Sequence, residues 1–98
     1  MFSSEKNVQD ALLKAAQSYE KLGKIDEAAE VLVDASSRGA KDKFKWILLA
    51  ADFYYIDGHE QKAKSNYLQV LKSKNNDQVY EALSKIELIE SEKPFSER

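Results

Sequence analysis

Apolar residues return every three or four positions along almost the whole of this chain. Val8, Leu12, Ala15, Ala16, Tyr19 and Leu22 set the rhythm, and at 3.6 residues per turn they share one face of a helix. Ser3 or Ser4 is the expected start, because a hydroxyl can accept from an unpaired amide of the first turn. Gly23 is the expected stop, since glycine takes the left-handed backbone that ends many helices without a Cβ clash. A second helix follows on Ile25, Ala28, Ala29, Leu32 and Ala35 and should end at Gly39. Its acidic Asp26, Glu27 and Glu30 lie toward the N-terminus, the positive end of the helix dipole. A third helix, from near Asp42, carries Phe44, Ile47, Ala50, Ala51 and Tyr54 and stops at Gly58. The fourth carries Ala63, Tyr67, Val70 and Leu71 and fades in "KSKNND". Asn76 or Asp77 is expected to cap a fifth, with Val79, Ala82, Leu83, Ile86 and Ile89 on its packed face. Residues 92–98, with Pro94, are expected to form a flexible tail. The pattern predicts an all-α fold of five helices, and the short connections favour antiparallel neighbours.

Shifting the sequence by 35 residues lays much of it over itself. "YEKLGKIDEAAEVL" from Tyr19 meets "YYIDGHEQKAKSNY" from Tyr54. Leu12 falls on Ile47, Leu13 on Leu48, Ala15 on Ala50, Ala16 on Ala51, Gly23 on Gly58, Ala28 on Ala63 and Leu32 on Tyr67. The matched residues share jobs. The alanines let two helices approach closely, the larger residues fill the space on either side, and each glycine permits a reversal. The chain is therefore expected to be two antiparallel helix hairpins and a fifth helix that covers the second.

These positions resemble the tetratricopeptide repeat, whose consensus places Trp, Leu, Gly, Tyr, Ala, Phe and Pro at set spacings over about 34 residues. Its slots fall here on Leu12, Ala15, Ala16, Tyr19, Ala28, Leu32 and Ala40, then on Ile47, Ala50, Ala51, Tyr54, Ala63, Tyr67 and Asn75. The Tyr slot and the second-helix Ala slot match in both copies. The Trp and Pro slots match in neither, and Trp46 stands one residue before its slot. The resemblance implies a TPR-like α-solenoid within one domain over residues 1–91. Repeat one covers about 8–40, repeat two about 43–75, and a capping helix about 77–91. That last helix could equally be half of a third repeat. Leu83, Ile86 and Ile89 are expected to turn toward Tyr67 and Leu71.

Composition narrows the function classes. Net charge is −2 and the pI about 5.4, so no strong positive field invites nucleic acid. "RGAKDKFK" gathers Arg38, Lys41, Lys43 and Lys45 beside Phe44 and Trp46, which reads better as a solvated helix start with a buried aromatic than as a phosphate contact. The longest apolar stretch, "WILLAADFYYI", is interrupted by Asp52 and is far shorter than the ~20 residues that span a bilayer, so no direct membrane insertion is expected. "MFSSEKNVQD" lacks the apolar core of a signal peptide. That leans toward the cytoplasm but leaves the compartment, and any segment upstream of Met1, open. There is no cysteine and a single histidine, His59. Without a second histidine the "HE" at His59 cannot become HExxH, and His59 reads as an exposed turn residue. No phosphate-binding or nucleophile-elbow motif is present. The expectation is no catalysis, no cofactor and no metal.

What remains is surface. In proteins of the resembled family the first helix of each pair lines a concave groove that accepts a peptide. The resemblance then places Asp10, Leu13, Gln17 and Glu20, next Lys45, Leu48, Asp52 and Tyr55, and finally Gln78, Glu81 and Lys85 along that groove. Leu13, Leu48 and Tyr55 are the leading contact candidates; Leu13 and Leu48 would serve equally to thicken the core. The carboxylate clamp of the family's chaperone-binding members needs Lys, Asn, Asn, Lys and Arg. Here the matching region offers Leu13, Gln17, Leu48 or Leu49, Gln78 and Ala82, so that role is not expected. The leading reading is a protein-interaction module for a protein or peptide partner. The alternative is a self-assembling or structural segment of a larger helical-repeat protein or an envelope- or secretion-associated scaffold, with homo-oligomers possible.

Overall fold

In the computed structural model, residues 5–37 and 42–91 are described. They form α1 (Glu5–Lys21), α2 (Ile25–Ser37), α3 (Lys43–Ile56), α4 (Glu60–Val70) and α5 (Asn76–Ser91), with no strand among the described residues. The expected start at Ser3 or Ser4, the stop at Gly39, the slot at Ala40, the basic residues Arg38 and Lys41 and the tail 92–98 lie outside the described residues.

Both hairpins turn by the same mechanism. Gly23 and Gly58 have φ of +80° and +84°. The Gly23 amide donates to the Glu20 carbonyl at 3.0 Å, and the Lys24 amide reaches back to the Tyr19 carbonyl at 2.8 Å. In the second turn Gly58 donates to Tyr55 at 3.1 Å and His59 to Tyr54 at 2.9 Å. This paired bonding is a Schellman motif, in which a left-handed residue lets two amides satisfy the carbonyls left open at the helix end. The side-chain contact that often accompanies it is present in the second turn, where the Tyr54 and His59 rings meet edge to face at 6.3 Å.

The helices pack in chain order. α2 lies between α1 and α3, α4 lies between α3 and α5, and α3 also meets α5 directly. At the contacts, Ala16, Ala28, Ala51 and Ala63 are wholly buried, as are Leu32 and Tyr67, the large residues opposite them. The two copies differ where they face different neighbours. Ile47 and Tyr54 are buried, whereas their counterparts Leu12 and Tyr19 are half-buried, because among the described residues α1 packs on α2 alone and α3 is covered on several sides.

Some expectations change at the ends of the array. The cap of α5 is Asn75 rather than Asn76 or Asp77. Asn75 Oδ1 accepts from the Asp77 amide at 2.9 Å and the Gln78 amide at 3.3 Å, serving two of the open donors of the first turn. Leu83 does not turn inward; it is 47% exposed. Ala82 and Ile89 are buried and Ile86 packs at the core's edge, which sets the packed stripe and rotates Leu83 away. Leu22 and Val8 also leave the core. Leu22 belongs to the turn rather than to the helix, its amide donating to both Ser18 and Tyr19.

Candidate functional site

The two steps of the stack differ at the places where alternate helices could meet. Between α3 and α5 the gap is closed. Asp52 on α3 accepts a hydrogen bond from the Tyr67 hydroxyl of α4 and pairs with Lys85 Nζ of α5 at 3.3 Å. The Lys85 ammonium also lies 5.7 Å from the centre of the Tyr55 ring and 5.9 Å from that of Tyr67, close enough for attraction by the ring faces. At the other end of the same junction Gln78 Nε2 donates to Asp42 Oδ1 at 3.2 Å, while Gln78 Oε1 accepts from the Ser73 hydroxyl at 2.6 Å. Burial, then the hydrogen bond to Asp52, then the nearby negative charge push the Tyr67 phenol above its ordinary pKa of 10.0. Burial, followed by Glu30 and Asp26, does the same to Tyr54.

Between α1 and α3 the gap is open. A cleft of about 390 Å³ runs there, lined by Asp10, Leu13 and Gln17 from α1 and by Asp42, Lys45, Trp46 and Leu49 at and along α3. Its lining mixes the apolar Leu13, Trp46 and Leu49 with charges of both signs on Asp10, Asp42 and Lys45. The internal repeat explains why this step stays open. The residues 35 positions before Asp52, Tyr67 and Lys85 are Gln17, Leu32 and Ala50. The first step thus lacks the carboxylate, the hydroxyl and the ammonium that draw α5 against α3.

The structure sorts the sequence-derived groove residues into groups. Leu13, Gln17 and Lys45 come together in the cleft, with Asp10. Asp52, Tyr55 and Lys85 come together in the closed junction. Leu48 packs at the edge of the core, Leu13 and Tyr55 also touch it, and Glu20 is exposed outside the cleft lining. Trp46, Leu49 and Asp42 join the cleft lining beyond the residues that the resemblance places along the groove, and their spacing of three and four residues with Lys45 marks one stripe of α3. Sequence reasoning misses that stripe because α3 is apolar nearly all round. Three helices pack on it, so periodicity alone does not say which stripe meets which neighbour.

A second surface lies on α5. Tyr80, Leu83 and Leu88 are exposed at 76%, 47% and 43%, and shallow depressions between them are lined by Ser84 and Glu87. No described helix is long and apolar enough to cross a membrane. Comparison with protein-family models, curated proteins and solved structures finds no match.

Proposed function

We propose that the chain is a non-catalytic protein-interaction module of tetratricopeptide type that holds a partner segment in the α1–α3 cleft. The open cleft, beside an equivalent junction that the chain fills with its own Lys85, carries this reading. Trp46 supplies a largely buried aromatic wall, Leu13 and Leu49 offer apolar contact, and Asp10, Asp42 and Lys45 can select among ligand charges. In the closed junction the Lys85 ammonium meets Asp52 and lies near the Tyr55 and Tyr67 rings; Gln17 replaces that carboxylate in the cleft, so a partner there would rely on apolar contact and on the rim charges.

Selection from a displayed peptide library tests the proposal. Peptides recovered on the wild-type chain should bind Leu13→Asp at least about tenfold more weakly, a loss of roughly 1.4 kcal/mol, while far-UV circular dichroism stays unchanged. Equal binding by the variant overturns the cleft as the site.

The exposed stripe on α5 favours a second reading, self-assembly. Tyr80, Leu83 and Leu88 are all exposed on α5, and the depressions beside them share Ser84 and Glu87. Sedimentation across a concentration range should then show association that Leu83→Glu removes; a monomer at every concentration excludes it.

A further inference from the structure

Outside the cleft, three metal-ligating side chains converge where the first hairpin meets the turn of the second. Asp26 stands in the first turn of α2, Asp57 caps the end of α3, and His59 caps the start of α4. His59 Nε2 lies 3.0 Å from Asp57 Oδ2 and 3.4 Å from Asp26 Oδ1, and the donor atoms all fall within 4.8 Å of one another. Asp26 Oδ1 is itself shielded from solvent and accepts no hydrogen bond, its ion pair being with His59, while the Asp26 side chain as a whole is 42% exposed. A shielded carboxylate oxygen with no donor is costly, and a second carboxylate beside it adds repulsion. From these distances we infer that Asp26, Asp57 and His59 form a binding site for a divalent transition metal ion, with Zn²⁺ the best fit.

The spacing suits that ion. With metal–ligand bonds of about 2.0–2.2 Å, neighbouring donors of a tetrahedral zinc lie roughly 3.3–3.5 Å apart; the two histidine–carboxylate separations are near this, and small rotations of the half-exposed aspartates bring the set to the ion. Imidazole with carboxylates is a donor set that zinc accepts. Three protein ligands leave one position for water. The histidine ring is already steadied by Tyr54, edge to face at 6.3 Å, which limits its reorientation on binding. Because Asp26 comes from the first hairpin and the other two ligands from the second, a bound ion staples the two repeats together and stabilises the folded chain by mass action.

The chain has a single histidine and no cysteine, so an imidazole signal reports on this site alone. Titration of the chelator-dialysed full chain with Zn²⁺, followed by calorimetry and by the His59 ring resonances, should give one site per chain, moved ring signals and a raised thermal midpoint. His59→Ala and Asp26→Asn should each weaken binding by at least about tenfold, the lower end of what disturbing even a ligand's supporting partner costs. Asp26→Asn lies outside the glycine turn and leaves its backbone bonding in place, so it remains informative if His59→Ala unfolds the turn. Absence of binding, or binding that Asp26→Asn leaves undiminished, overturns the site.

Discussion

At Gly23 and Gly58 the constraint is conformational rather than steric. A Cβ built on either would meet nothing within 4 Å, yet both backbones are left-handed. Alanine at either position should therefore cost about 1–2 kcal/mol, the penalty of that conformation for an L-residue, and equilibrium urea unfolding should show nearly equal losses for the two. The alanines carry the opposite constraint. Ala28 and Ala63 are wholly buried between helices, so Ala28→Leu should destabilise by roughly 1–3 kcal/mol through overpacking, measured in the same way. Tyr67 joins packing to polarity, because its ring is buried and its hydroxyl serves Asp52. Its phenol pKa is raised in the folded chain above the 10.0 of an unperturbed tyrosine. The unfolded state therefore loses this proton first as pH rises. The stability it contributes is fully present below about pH 10 and declines above it. Thermal midpoints of the wild type should fall beyond pH 10 more steeply than those of Tyr67→Phe, which itself should lose on the order of 1–3 kcal/mol at neutral pH with the hydrogen bond to a charged acceptor.

At the scale of elements, the sequence reads most clearly where one cause acts alone. The turns are legible because a glycine, its spacing from a tyrosine and the following alanine recur at 35 residues, and the two backbones repeat that bonding pattern. The α2 and α4 packing stripes are legible because each presents a limited apolar face. α3 is not, since three neighbours press on it and its groove-facing stripe of Lys45, Trp46 and Leu49 is hidden among other apolar residues. α5 misleads for a different reason. Val79, Ala82, Leu83, Ile86 and Ile89 fit one helical face, but a single supporting layer takes only part of that arc, and Leu83 falls outside it. The repeat also breaks there in an informative way. Ile86 occupies the slot held by Ala16 and Ala51, and among the described residues no sixth helix approaches to require a small side chain.

For the whole molecule, neighbours set stability. In a stack of this kind each unit contacts only the adjacent ones, so end units open more readily. Among the described residues α1 packs on α2 alone, whereas α3 packs on α2, α4 and α5. Native-state hydrogen exchange should find α1 amides opening at lower free energy than those of α3; equal protection would show that the array unfolds only as one unit. The same asymmetry leaves the α1–α3 gap open beside a closed α3–α5 junction, and the most readily opened helix is the one that walls the cleft.

By itself the sequence determined the five helices, their reversals and the small residues at their contacts, because each follows from local spacing and the volume of single side chains. Only the tertiary structure decided which gap closes. That depends on Asp52, Tyr67 and Lys85, which come from three different helices, and on the meeting of Asp26 with Asp57 and His59 across two hairpins. Such groups are far apart along the chain, and no periodicity records a distance that packing alone sets.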